Sequence, residues 1–181
     1  MVSLEARISE LEKRVALLDD IEAIRRLRMT YHTYVNENRW ADIAELFTED
    51  ASIDMGYVAM MKGREDINKQ MVDIPNHTSL LKHFIHGHVV DVDGDTASGY
   101  LYLEAKYADN GESLFVAGKV TDEYVRLDGQ WQISNSATHL YFTTPLTKGW
   151  AVENPHYLRG GLENREKVEN AREKGVEDYF T

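Results

Sequence analysis

The N-terminal stretch carries an apolar residue at every third or fourth position. This spacing predicts an amphipathic α-helix whose apolar side chains share one face, and Ser3 stands where its side chain can cap the first turn. The apolar positions are Leu4, Ile8, Leu11, Val15 and Leu18. The stripe is narrow like a coiled-coil seam but too short for a stable coiled coil. We expect it to pack on its own domain or on a neighbouring subunit.

A second helix is predicted to restart at Asp19 and Asp20 and to end at residues 36–38. Its apolar face consists of Ile21, Ile24, Leu27, Tyr31, Tyr34 and Val35. The pattern then predicts a short helix, a first strand and a further helix, over 40–47, 51–55 and 63–72.

After these elements, the sequence alternates apolar and polar residues, as half-buried strands do. Four long strands, separated by glycine turns, are predicted over 83–92, 96–107, 114–127 and 131–142. The alternation puts one set of residues on the inward face of the last strand: Trp131, Ile133, Asn135, Ala137, His139 and Tyr141. Helices followed by a meander of strands predict an α+β fold, in which a curved sheet wraps around the helices and leaves a cavity for a small molecule.

The length of 181 residues fits one domain. We predict that it spans 1–147 and that a polar tail follows over 148–181, whose stretch 163–179 is either a surface helix or partly ordered. The N-terminus lacks the apolar segment of a signal peptide, and no apolar run is long enough to cross a membrane. A cytoplasmic protein without membrane contact is therefore expected.

Charge and cysteine content exclude several classes of function. The net charge is −11 and there is no basic stripe, so nucleic acid is not an expected partner. The chain has no cysteine, which excludes disulfides, thiol catalysis and cysteine-bound zinc. No glycine-rich phosphate loop or nucleophile elbow is found.

Three segments share the order and spacing of a known domain type. They are a helix opening at 20–24 followed by Tyr31 and the segment 40–51, a hairpin at 92–97, and a closing strand pair at 121–133. Together they resemble the SnoaL-like domains of the nuclear transport factor 2 superfamily. Within it the chain is most similar to the bile-acid 7α-dehydratases and hexachlorocyclohexane dehydrochlorinases, with scytalone dehydratase as a further relative.

The resemblance implies a cone-shaped fold, often trimeric, that removes water or HCl from an apolar ring system without a cofactor. His83 matches the histidine that acts as the base, and Tyr31 matches a tyrosine that donates a hydrogen bond to the substrate. The aspartate that orients the histidine is replaced by Asn36, which is expected to accept a hydrogen bond from the imidazole. Two further charged positions of these families are Ala105 and Ser136 in this chain.

Other polar and apolar residues complete the predicted binding site: Tyr107, His139, Asn135, Leu103 and Tyr34. Such a pocket is polar but nearly uncharged, which suits an aromatic or polycyclic alcohol. The primary hypothesis is therefore a cofactor-free lyase that dehydrates its substrate or releases formaldehyde by retro-aldol cleavage. The alternatives are an isomerase or polyketide-type cyclase and a non-catalytic binder of a small hydrophobic ligand.

Two further expectations concern metals and subunits. His83, His86 and His88 are close in sequence, but strand alternation would pair His86 with His88 and turn His83 away, so no metal site is expected. A homo-oligomer is expected, with a trimer favoured by the resemblance. The N-terminal apolar stripe and the outer face around Tyr100 and Tyr102 are the candidate contacts.

Overall fold

Helices occupy the first part of the chain and long strands the second. The computed structural model describes residues 3–56, 58–109 and 111–149, and the tail helix predicted within 163–179 lies outside them. The helices are α1 (Leu4–Asn36) and α2 (Arg64–Asp73), with 3-10 helices at Trp40–Leu46 and Ile74–Asn76. The strands are β1 (Phe47–Asp54), β2 (Met60–Lys62), β3 (Leu80–Asp93), β4 (Thr96–Asp109), β5 (Glu112–Leu127) and β6 (Gln130–Pro145).

Helix α1 is continuous, so the prediction of two helices separated at Asp19 and Asp20 is wrong. No proline or glycine interrupts this segment, and nothing else in it breaks the backbone hydrogen bonds of a helix. The apparent restart marks the point at which α1 begins to pack on the sheet. There the carboxylate of Asp20 accepts hydrogen bonds from Arg126 and from the Trp131 indole, at 2.5 and 2.9 Å.

The strands form one mixed sheet in the order β2-β1-β6-β5-β4-β3. Only the pairing of β1 with β6 is parallel among the described strands, and the other neighbours run antiparallel. The curved sheet wraps around the C-terminal half of α1, which packs against β3 and β6. The predicted α+β cone is therefore confirmed.

Three single-residue bulges decide which side chains of β3 and β6 face inward. Gly87 is the extra residue of β3, and its φ of +51° is a conformation that glycine adopts most readily. In β6 the extra residues are Ser134 and Tyr141. Each bulge shifts the alternation by one position, so the residues beyond it exchange faces.

The main core lies between α1, α2, β1 and the first part of β6. Its largest buried side chains include Ile24, Phe47, Ile67 and Tyr124. Residues 4–19 of α1 extend beyond this core and are exposed throughout. Within the described ranges, no helix is both long and apolar enough to cross a membrane.

Candidate active site

A cavity of about 830 Å³ lies between the sheet, α1 and α2. Its volume falls within the range of small-molecule sites in proteins. Most of the wall is apolar, and exposed polar residues, including Asp73 and His77, line one end. The cavity therefore combines an apolar interior with a few polar groups.

His83 and His32 form a pair on the wall of this cavity. His83 lies on β3 and His32 on α1, and their Nδ1 atoms are 3.2 Å apart. One ring donates a proton in this hydrogen bond and the other accepts it, so the pair has two tautomeric arrangements. In one arrangement His83 Nδ1 donates, which leaves its Nε2 as an unprotonated acceptor.

Burial keeps both imidazoles neutral at ordinary pH. It lowers the pKa of His83 to about 3, and the nearby positive charge of Arg28 acts in the same direction. The pKa of His32 lies well below its usual value of 6.5, chiefly because of burial and then because of Arg28. His83 is therefore uncharged near neutral pH and can accept a proton at Nε2 in the arrangement in which its Nδ1 donates, but its affinity for a proton is low.

Asn36 contacts the main chain of His83 rather than its imidazole. The Asn36 amide donates to the His83 carbonyl at 2.8 Å and accepts from the His83 amide at 2.6 Å. The expectation that Asn36 accepts a hydrogen bond from the ring is therefore wrong. The asparagine side chain extends far enough to pair with both backbone groups of the edge strand β3, and His32, one helical turn earlier, meets the ring instead.

A buried ion pair lies behind the two histidines. The guanidinium of Arg28 is 3.2 Å from the carboxylate of Asp122 on β5, and both side chains are almost fully buried. The Tyr124 hydroxyl donates to the same carboxylate at 2.8 Å and lies 3.2 Å from His88 Nε2. Since the single hydroxyl proton goes to Asp122, His88 Nε2 is the donor to Tyr124.

Tyr31 is 5 % exposed and lines the cavity beside His32. The Arg28 guanidinium lies over its ring, 4.5 Å from the centroid. Burial raises the pKa of Tyr31, whereas Arg28 lowers it. The phenol therefore keeps its proton, and the adjacent cation makes it a better hydrogen-bond donor.

The other predicted binding residues divide between the two faces of the sheet. Leu103 and Tyr107 line the cavity, as the alternation of β4 predicts. Asn135 and His139 do not, so their predicted inward orientation is wrong, because the bulge at Ser134 reverses the alternation of β6. The inward residues of this segment are Ser136, Thr138 and Leu140.

The outward residues have other partners. Asn135 accepts a hydrogen bond from the Ser52 hydroxyl at 2.7 Å. His139 contacts the ring of Tyr141 edge-on, with the centroids 5.5 Å apart. Tyr34 is not among the residues that line the cavity either, and the Arg39 guanidinium lies 4.2 Å from the centroid of its ring.

The bulge at Gly87 also separates the histidines of β3. It brings His83 and His88 to the inner face and leaves His86 outside, where His86 lies 3.7 Å from Glu104. The expected pairing of His86 with His88 is therefore wrong. Within the described residues, no group of three potential metal ligands is present.

The site also contains His32, Arg28 and Asp122, which were not predicted from the sequence. A usable signal was present on α1, where Arg28 and His32 follow Ile24 at intervals of one turn and so lie on the buried face. A charged or ionisable residue at a core position requires a buried partner. The partner carries a similar signal, because Asp122 alternates with Val120 and Tyr124 and so lies on the buried face of β5.

Most of the chain matches known proteins in sequence. The family model described as "SnoaL-like domain" matches residues 16–137. An uncharacterized protein of Mycobacterium tuberculosis, Rv2910c, is 29% identical over 123 residues, which cover 66% of this chain and 84% of the relative.

Two solved structures show the same fold. One is a protein of Novosphingobium aromaticivorans assigned as a scytalone dehydratase, with a TM-score of 0.65 and 22% identity over 79% of this chain and 95% of that one. The other is a LinA-type3 hexachlorocyclohexane dehydrochlorinase of Novosphingobium barchaimii, with a TM-score of 0.68 and 20% identity over 74% of this chain and 94% of that one. The family match covers more than half of the sequence, and the chain therefore belongs to the SnoaL-like domain family of the nuclear transport factor 2-like superfamily.

Proposed function

We propose that this protein is a cofactor-free lyase that acts on a small, mostly apolar hydroxylated molecule, such as an aromatic or polycyclic alcohol. The observation that carries the proposal is the hydrogen-bonded pair of His83 and His32 on the wall of an apolar cavity. The similarity in fold to a dehydrochlorinase and to a protein assigned as a dehydratase adds support.

His83 is the proposed base, and it accepts the substrate proton at Nε2 while its Nδ1 donates to His32. Tyr31 is the proposed donor to the oxygen of the substrate. In dehydration the C–H bond electrons form the new double bond, and hydroxide leaves with a proton to give water. In the retro-aldol alternative, the base takes the hydroxyl proton of the terminal CH2OH group and the C–C bond breaks, which releases formaldehyde. The electrons of that bond remain on the other carbon, which then takes up the proton from His83.

The low pKa of His83 restricts the substrate. A base with little affinity for protons removes only a proton that is already acidic, or one whose departure coincides with the loss of a good leaving group. Within the described residues, no carboxylate contacts the imidazole to stabilise its cation. A carbonyl or an extended aromatic system next to the C–H bond is therefore part of the proposed substrate class.

The test compares His83→Gln with His86→Gln on a panel of aromatic and polycyclic alcohols, with the products analysed by mass spectrometry. His86 is a matched control, because it lies on the same strand but on the outer face. We expect His83→Gln to lower turnover by about 100-fold or more and His86→Gln to leave it unchanged. Equal turnover of the two variants would contradict the role of His83, and a product of unchanged mass would indicate an isomerase or cyclase.

A second candidate is a protein that binds a small hydrophobic ligand without converting it. The neutral pair of His83 and His32 favours it, because a pair of neutral imidazoles gives no charge to a transition state. It predicts that a bound alcohol from the same panel is recovered unaltered after prolonged incubation with the wild-type protein. Conversion of the alcohol would exclude this candidate.

A further inference from the structure

The apolar stripe at the start of α1 has no partner within the described residues of its own domain. Leu4, Leu11 and Leu18 are 72%, 57% and 64% exposed, and Ile8 and Val15 between them are about half exposed. We call these residues the α1 seam. A helix face of this kind is normally covered, since exposed apolar patches on soluble proteins mark interaction surfaces.

We propose that the α1 seam forms a parallel, in-register, two-stranded coiled coil with the α1 seam of a second copy of this chain. Its spacings of four and three residues follow the seven-residue repeat of coiled coils, lettered a to g. Ile8 and Val15 occupy the a positions, and Leu4, Leu11 and Leu18 occupy the d positions.

The identity of the seam residues favours two helices. β-branched residues at a combined with leucine at d favour parallel dimers over trimers and tetramers. Both a positions, Ile8 and Val15, carry β-branched residues, and every d position carries leucine. The trimer that the resemblance implies is therefore not the assembly that this surface predicts.

The charges beside the seam select the parallel orientation. Arg7 and Arg14 occupy g positions, and Glu12 and Asp19 occupy the e positions five residues later. In a parallel pair each g position faces the e position of the next repeat on the partner, so Arg7 meets Glu12 and Arg14 meets Asp19. In an antiparallel pair g faces g and e faces e, which would bring like charges together.

The seam is short, but its helix is already formed. The C-terminal half of α1 is fixed in the core by Ile24, Tyr31 and Val35, so the N-terminal half continues an existing helix. Association therefore avoids the unfavourable nucleation that limits short isolated helices. Ser3 also caps the exposed end, where its hydroxyl accepts from the Ala6 amide at 3.2 Å.

The first test is sedimentation of the full chain from about 1 to 100 µM, a range that covers micromolar dissociation constants. The variant Leu11→Glu places charges in the seam, whereas Ser9→Glu adds the same charge outside it. We expect Leu11→Glu to raise the dimer dissociation constant by about 10-fold or more, and Ser9→Glu to leave it nearly unchanged. Because Leu11 is exposed in the single chain, thermal unfolding well below the dimer dissociation constant should be nearly unchanged in both variants. At higher concentration, Leu11→Glu should lose the stabilisation that the dimer gives to the folded state. A monomer across the whole range, a trimer, or a dimer insensitive to Leu11→Glu would overturn the proposal.

Engineered cysteines test the orientation, since the chain has none of its own. A disulfide requires Cα atoms within about 7 Å of each other. In the parallel pair, Leu4→Cys forms a disulfide with its copy. No mixed product forms when Leu4→Cys is combined with Val15→Cys, or Ile8→Cys with Leu18→Cys. In an antiparallel pair a positions face d positions, so one of these mixtures would give a mixed disulfide, and that result would overturn the parallel arrangement.

Discussion

His32 Nδ1 lies 3.2 Å from His83 Nδ1, so an uncharged imidazole from α1 occupies the position next to the ring of the proposed base. A carboxylate at that distance would favour the protonated form of His83, whereas a neutral imidazole does not. The pair therefore couples orientation of the ring with a low pKa. A site of this kind keeps its proposed base neutral, whereas a carboxylate next to the ring would stabilise the protonated base.

Replacement of His32 by a carboxylate should raise the basicity of His83. We expect His32→Asp to move the pKa of His83 up by about one unit or more from its value of about 3, because a nearby negative charge stabilises the imidazolium. Titration of the imidazole by NMR measures this shift. The control is His32→Asn, which has the same shape without the charge. An equal pKa in both variants would show that the partner's charge does not control His83.

The free energy of unfolding should fall as the pH is lowered below about 6.5. In that range the unfolded chain binds protons at His32 and His83, whereas the folded chain excludes them until the pH approaches the lowered pKa, about 3 for His83. Each histidine contributes a slope of up to about 1.4 kcal/mol per pH unit. Urea unfolding at a series of pH values measures it, and His83→Leu should reduce the slope. A slope that His83→Leu leaves unchanged would contradict the burial argument.

Asn36→Asp is expected to destabilise the protein rather than to restore a catalytic pair. The asparagine donates to the His83 carbonyl, and Lys82 Nζ donates to the Asn36 carbonyl beside it. An aspartate has no proton to donate and would place an oxygen against the His83 carbonyl, at a cost of about 1–3 kcal/mol. Thermal unfolding compares it with Asn36→Ala, which removes the side-chain hydrogen bonds without adding charge. An Asn36→Asp variant that is as stable as the wild-type protein, or more stable, would refute this interpretation.

The fold and its order of elements could be predicted from the sequence, because apolar periodicity and glycine turns are local signals. The alternation in the sequence predicts which residues of β3 and β6 face inward only as far as the first bulge of each strand. Gly87 is a recognisable candidate for a bulge, but Ser134 and Tyr141 are ordinary strand residues whose extra position depends on the register with β5. His139 and Asn135 were misplaced for this reason.

The polar part of the site was the least predictable. Asp122 and His32 belong to different elements, and their roles depend on which buried residues meet across the cavity. The spacing of residues along the sequence does not show which of these side chains contact one another. A resemblance to lyases pointed to His83, but the side chain that contacts its imidazole is not Asn36 at the end of α1 but His32, one turn earlier.

Gly87→Ala tests the bulge that directs His83 and His88 to the same face. The glycine has a φ of +51°, and a Cβ there would meet no other atom within 4 Å. The expected cost is therefore backbone strain alone, about 1 kcal/mol, measured as a lower midpoint of urea unfolding. By contrast, a Cβ at Gly99 would lie 2.7 Å from the Val89 carbonyl oxygen, so Gly99→Ala should destabilise more. The reverse order would contradict the geometry of β3.

The buried pair of Arg28 and Asp122 gives the largest expected change in stability. Asp122→Asn leaves the guanidinium as an uncompensated buried charge, which typically costs about 3–5 kcal/mol. The exposed pair of Arg26 and Glu22 is the control, and Glu22→Gln should cost less than about 1 kcal/mol.

The double variant Arg28→Met with Asp122→Asn separates charge from packing. It removes both charges, so it should be less destabilised than Asp122→Asn alone if the uncompensated guanidinium is the cause. Arg28 also lowers the pKa of His83, so the same double variant should raise that pKa relative to the wild type. Unfolding by urea measures the first effect and NMR titration the second. A double variant that is no more stable than Asp122→Asn would assign the loss to the hydrogen bond from Tyr124 to the carboxylate instead of to the charge.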